Sequence, residues 1–294
     1  MTDIEIINKI LKSKKPSDIL NGNWKDTYKH YSRMIHPDLC KHPDASTAMS
    51  KLNEFKNLII NGVEYVDETG SFKVFEKKIV YKVTDANHAL IRKSFENFKL
   101  LKSKTDKASV NFHRYLPESM RLSKNELIIT LKDRAVPLTG EKLPQVHVNW
   151  LFSRMFEIVL WFRNIGYSHM GMNPTTVFVV PETHGIIITS FYHMTHLDSR
   201  AKTISAKYKM WYPTALFLKK ITTQDIDLEL SKKIALYLLG DRSAAGTKLK
   251  RDKDVNQEVL KFLLTKHQCE LDEFKIFREI LAKNFKKKFY PLNL

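Results

Sequence analysis

The apolar spacing of this chain changes twice, and those changes limit the folds open to it. Up to about residue 61 apolar side chains recur at helical intervals. Trp24, Tyr28, Tyr31 and Ile35 fall at i, i+4, i+7 and i+11, and Ala48, Leu52, Phe55 and Ile59 repeat the pattern. From about 62 to 136 the texture turns to strand, in VEYVD, FKVFEKKIVYKV and ELIITL, with one helical stretch at 87–103. From about 144 helical spacing returns, interrupted by TVFVV and GIIITS around the turn Pro181-Glu182-Thr183-His184. A small helical unit, a β-rich segment and a helical segment in that order exclude a doubly wound sheet. No internal repeat points to a solenoid.

Apolar residues make up 43% of the 294, enough to bury cores and too many for a disordered chain. Cys40 and Cys269 stand far apart, without the paired spacing of a disulfide framework or a zinc site. The most apolar stretch, 146–165, is broken by Asn149, Arg154, Glu157, Arg163 and Asn164, so it reads as a buried helix and not a membrane span. The first residues carry acids where a secretory leader needs cations. The expectation is a cytoplasmic protein with no membrane contact.

The charge is strongly basic, 49 Lys+Arg against 32 Asp+Glu, a net of +17. That balance invites a nucleic-acid partner. Most of the cations are scattered lysines, however, and scattered lysines read more simply as a solvated surface. Residues 1–61 hold ten cations and seven acids, a net of +3, so +14 belongs to the remainder. The run 285–290, Phe-Lys-Lys-Lys-Phe-Tyr, interleaves cations with aromatics and fits either a single-stranded nucleic acid or, more simply, a solvated tail. The polar, basic segment 241–254 reads as a surface loop between helices.

In the helical unit, Lys25, Lys29 and Arg33 run at i, i+4 and i+8 beside the apolar stripe. The helix is stopped at His36-Pro37-Asp38, because proline lacks the N–H and restricts the residue before it. A second His-Pro-Asp at 42–44 precedes the next helix, with Asp44 or Ser46 as its N-cap. Two such helices form a hairpin that displays its loop. The segment YKHYSRMIHPDLCKHPDASTAMSKLNEFKN resembles the second and third helices of a J domain, with residues 16–22 or 4–12 as the first helix. The resemblance implies docking on an ATP-bound DnaK-type chaperone and acceleration of its ATP hydrolysis. Lys25, Lys29 and Arg33 would steer toward an acidic surface, and His36, Pro37 and Asp38 would trigger hydrolysis.

In the remainder, GYSHMGMNPTTVFVVPETHGIIITSFYHM (166–194) follows a long apolar helix and presents His-x-x-x-x-Pro, a strand, a turn and a second strand. This resembles the catalytic and metal-binding loops of the protein-kinase fold, His-Arg-Asp followed by Asp-Phe-Gly. His169 and Pro174 are kept. Gly171 stands at the catalytic Asp position, Thr176 at the metal-binding Asn position, and Ser190 at the second metal-binding Asp position. Lys82 in IVYK matches the phosphate-pairing Lys, Glu96 its partner, and Asp225 the structural Asp that opens a buried helix. No GxGxxG phosphate cover is present. Phosphoryl transfer depends on a carboxylate that orients the nucleophile and on metal ions that neutralise developing charge. Without them the resemblance implies a pseudokinase with no cofactor; Lys82 and Glu96 then read as a relic pair holding the small lobe together, with metal-free nucleotide binding near Lys82 as the sharper option.

The fold expected is α+β: a J domain over 1–61, then a bilobal kinase-like domain over 62–294, its β-rich lobe about 62–136 and its helical lobe about 137–294. The function expected is a non-enzymatic J-domain co-chaperone whose second domain recruits a protein client or partner. The alternatives are a decoy or adaptor that captures a chaperone, and a nucleic-acid-binding protein using the basic second domain.

Overall fold

The structure is a computed structural model that describes residues 1–140, 142–286, 288–290 and 292. Three helices form the N-terminal unit: α1 (Asp3–Lys12), α2 (Trp24–Met34) and α3 (Ala45–Asn61). A reciprocal cap starts α1, where Thr2 and Glu5 each accept the other's backbone N–H through their side chains. The apolar stripes of α2 and α3 meet: Tyr31, Ile35, Ala48, Leu52 and Phe55 are buried, with Ile6, Ile7 and Ile10 of α1 completing the core. The first helix is therefore 3–12, and residues 16–18 make only a 3₁₀ turn.

Asp44 occupies the N-cap position of α3, yet its side chain makes no capping bond, and Ser46 lies inside the helix. Instead the Asp44 N–H donates to His42 Nδ1 at 3.2 Å, and the Asp38 N–H donates to His36 Nδ1 at 3.3 Å. Both His-Pro-Asp copies thus make the same local turn.

Among the described residues this core shares no buried side chain with the larger one that follows. Polar contacts join the two: the Ser17 N–H and hydroxyl both donate to the Glu76 carboxylate, and Lys15 lies 3.4 Å from Glu182. The chain passes between them through Gly62, whose φ of +64° turns it out of α3. A Cβ there would lie 2.9 Å from the Val74 carbonyl oxygen.

Next come β1 (Val63–Asp67), β2 (Gly70–Val74) and β3 (Lys78–Lys82), then α4 (His88–Lys102) and α5 (Lys107–Phe112), then β4 (Ser119–Leu122) and β5 (Glu126–Thr130). The strands form one antiparallel sheet in the order β1-β2-β3-β5-β4. Alternation sends Phe72, Val74, Ile79, Tyr81, Leu127 and Ile129 inward. Helix α4 covers that face with Ile91, Phe98 and Leu101.

The rest is a helical lobe with short strands: β6 (Val136–Pro137), α6 (Gln145–Asn164), β7 (Tyr167–Ser168), β8 (Val177–Val180), β9 (Gly185–Ile188), β10 (Thr195–His196), α7 (Thr214–Lys219), α8 (Ile226–Leu238), α9 (Gln257–Leu264) and α10 (Leu271–Asn284). Helix α6 is buried along most of its length, and β6, β8 and β9 form a small antiparallel sheet whose β9 packs against α6. Among the described residues no helix is long and apolar enough to cross a membrane. The segment 241–254 is a loop, but a pinned one. Buried Asp241 accepts the N–H groups of Ser243 and Gly246, and Ala244 and Leu249 are buried beside it.

Gly62→Ala should lower the unfolding free energy by about 1–2 kcal/mol from the left-handed backbone alone, with the contact at Val74 adding to it. Urea titration of the full chain measures this, and a variant as stable as the parent would contradict the account.

Candidate functional site

The loop after β7 is organised by one buried carboxylate. Asp227, on the first turn of α8, accepts the His169 N–H at 2.6 Å, the Met170 N–H at 2.8 Å and the Ser168 hydroxyl at 2.9 Å. Burial pushes its pKa up to about 6, and those three donors hold it lower than burial alone would. Met170 sits at φ +60°, a conformation unfavourable for a side chain with a Cβ, and its N–H is one of the three. Asp225, expected to be the structural Asp, stands one position before α8 and accepts the Cys269 N–H at 3.0 Å. Both lie in the string Gln-Asp-Ile-Asp. Only the point where the helix begins decides which carboxylate faces the loop, and that point is Ile226.

His169 is fully buried and its tautomer follows from its partners. Nε2 donates to the Ser190 carbonyl at 2.7 Å, and Nδ1 accepts the Gly171 N–H at 3.2 Å. The ring is neutral, with burial pulling its pKa down to about 3. It continues a run of aromatic contacts: Phe162 at 5.6 Å on one side, Phe191 at 5.7 Å on the other, and Phe98 of α4 6.3 Å beyond Phe191. Helix α4 also grips the segment by hydrogen bonds. The Phe191 N–H donates to Ser94 Oγ at 2.8 Å, and Asn97 Nδ2 donates to the Phe191 carbonyl at 2.8 Å.

The three positions read as degenerate lie close to this loop, and each is occupied. A Cβ on Gly171 would lie 2.8 Å from Cδ2 of His193, so the imidazole fills the space a side chain would need. Thr176 is buried, its hydroxyl donating to the Gly171 carbonyl at 2.8 Å. Ser190 is buried with its hydroxyl 3.3 Å from that of Tyr81. His193 is itself held on both sides: Nε2 lies 2.7 Å from the Glu68 carboxylate and Nδ1 lies 2.9 Å from Thr203 Oγ1. Glu68 also accepts the Ser205 hydroxyl. It belongs to the β1–β2 turn, which is thereby fastened across the loop. In the same turn Asp67 accepts both donors of Thr69, and burial raises its carboxyl above the usual range.

Lys82 and Glu96 are not brought together. Strand alternation turns Tyr81 inward and leaves Lys82 exposed, while Glu96 forms an exposed ion pair with Arg92 at 3.2 Å. The residue of β3 that reaches Ser190 is Tyr81, and its phenol is raised well above its ordinary pKa by burial. Its inward phase is legible in the sequence, because Ile79 and Tyr81 fall on the same side of an alternating strand. Glu68, His193 and Ser94 carried no signal a single sequence offers. In the N-terminal unit Lys25, Lys29 and Arg33 are exposed along α2. His36 is half-buried, Pro37 and Asp38 are exposed, and His36 Nδ1 lies 3.5 Å from the Asp38 carboxylate.

Two outcomes are expected. Gly171→Ala should cost about 1–3 kcal/mol by overpacking against His193, and most of that loss should disappear in a His193→Ala background. A double-mutant cycle by urea unfolding checks it, and additivity of the two changes would refute the contact. His169→Phe keeps the ring but strands the Ser190 carbonyl and Gly171 N–H, at about 2–4 kcal/mol near pH 7. The parent's own stability is lost as pH falls, since between 6.5 and about 3 the unfolded chain takes a proton on residue 169 that the native state refuses. The gap between parent and variant should therefore narrow on acidification, by up to about 1.4 kcal/mol per pH unit. A pH-independent gap would show that the imidazole is not the buried neutral base described.

No protein-family model matches the sequence, and no curated protein does either. Among solved structures the chain is similar to the crystal structure of a Toxoplasma gondii specific rhoptry antigen kinase domain. That match has a TM-score of 0.46 and 13% identity, and covers 75% of this chain and 78% of the other.

Proposed function

We propose that the chain is a J-domain co-chaperone of a cytoplasmic DnaK-type ATPase, carrying a catalytically inactive kinase-like domain that recruits a client or partner. One observation carries the reading: a His-Pro-Asp turn, exposed at Pro37 and Asp38, at the end of a helix that presents Lys25, Lys29 and Arg33 to solvent, on a helical hairpin with its own core. Exposed cations raise the encounter rate with an acidic surface, and a projecting loop can then reach a site beyond it. The hairpin does no chemistry of its own in this reading.

For residues 62–294, the order of elements and the loop around His169 support a kinase-like fold, and the filled positions support inactivity. Gly171, Thr176 and Ser190 offer no carboxylate, and His193, held by Glu68, occupies the space beside Gly171. Lys82 points away from Ser190, so the option of metal-free nucleotide binding through that lysine has no geometric support. Recruitment is the role left for a domain with a rigid core and a sealed loop cluster.

The test is single-turnover ATP hydrolysis by a DnaK-type chaperone with the full chain. Stimulation is expected, lost in His36→Gln and reduced about tenfold at low salt when Lys25, Lys29 and Arg33 are reversed to Glu, less so at high salt. No stimulation by the parent would sink the proposal. Inhibition instead would mark a protein that captures its chaperone without activating it.

A further inference from the structure

A cavity of about 800 Å³ opens in the helical lobe, between α6, α10 and the segment that follows α10. Its wall combines features that the kinase-like and J-domain readings leave unused. Trp150 and Tyr290 supply aromatic rings, each with a cation over one face, Arg154 at 5.9 Å from Trp150 and Lys288 at 5.6 Å from Tyr290. Arg278, Lys286 and Lys288 supply cations. No acidic side chain lines it among the described residues. Two further cations in the wall are already committed, Arg154 to Glu157 at 3.0 Å and Lys283 to Glu258. Arg278, Lys286 and Lys288 have no carboxylate partner among the described residues.

The second observation is at the cavity's inner wall. Asn149 is only 5% exposed, and its Nδ2 has no hydrogen-bond partner among the described residues. A buried amide without a partner costs about 1–3 kcal/mol, which is why such groups are rare away from sites where a ligand supplies the missing acceptor. The segment after α10 is fixed in place as a wall: Phe285 packs on the main core, and the Phe289 ring lies 4.8 Å from that of His184. Aromatic faces, an excess of cations and one buried donor together select a planar ring that carries a hydrogen-bond acceptor and an anionic group.

We propose that this cavity binds a ligand of the mononucleotide class. The heteroaromatic base stacks on Trp150 and Tyr290, a ring acceptor takes the Asn149 amide hydrogen, and the phosphate is held by Arg278, Lys286 and Lys288. The site is separate from the loop cluster around His169, with which it shares no residue. It also gives the run 285–290 a role different from a solvated tail; Lys287 in that run lies outside the described residues.

The experiment is calorimetric titration of the full chain at fixed ionic strength with AMP, GMP, CMP and UMP, against ribose 5-phosphate and inorganic phosphate. At least one mononucleotide should bind one-to-one and at least tenfold tighter than ribose 5-phosphate. Arg278→Glu combined with Lys286→Glu, both exposed and so compatible with folding, should weaken that binding at least tenfold. Asn149→Leu should remove the preference among bases while leaving phosphate-dependent binding. If no mononucleotide exceeds ribose 5-phosphate, the site is only a basic patch and the proposal fails. It fails equally if the charge reversals leave a mononucleotide's affinity unchanged, since the ligand then sits elsewhere.

Discussion

Asp227 is the point on which the helical lobe's inner structure depends. A carboxylate with no solvent is expensive, and the chain offsets the cost with three donors drawn from consecutive residues, 168 to 170. Satisfying the charge and bending the chain are the same event. The bend holds Met170 in a backbone state it would otherwise avoid and aims His169 inward. From there order spreads outward: His169 fixes the Ser190 carbonyl, Phe191 follows, and α4 closes over Phe191 through Ser94, Asn97 and Phe98. A helix of the sheet lobe is thereby positioned by a carboxylate in the other lobe.

What the sequence disclosed, and what it hid, divides along the same line. Periodicity is a property of one element, so the stripes of α2 and α3, the β texture of 63–82 and the buried character of α6 could all be read from spacing. Motif order could be read too, because His169, Pro174 and the hairpin at 177–188 follow each other closely. What spacing and residue identity leave open is phase and partnership. Asp225 and Asp227 differ only in their place at the helix start: Asp225 stands at the cap of α8, and Asp227, with one residue between them, faces the loop. On β3 the residue that faces the buried loop is Tyr81, because strand alternation turns Lys82 to solvent. Asp44 does stand at the N-cap position its place in the sequence implies, but its side chain makes no capping bond.

Other features needed three dimensions. Gly171 reads in sequence as the mere absence of an acid, whereas in space it is the presence of His193. That imidazole is held by Glu68, more than a hundred residues earlier in the chain, so no local pattern links them. The charge tells a comparable story. Most of the +17 is spread over solvated faces, but a few cations acquire meaning from position: the α2 row beside the His-Pro-Asp turn, and the cluster around Asn149.

The passage from α3 to β1 has one glycine and no spacer. A flexible tether lets a module sample a sphere whose radius grows with tether length, and effective concentration falls accordingly. Here the hinge is a single residue, braced by Ser17 and Lys15 against the turns that carry Glu76 and Glu182. Residues 36–38 are therefore held within a short range of the rest of the molecule, as on a bracket and not on a leash.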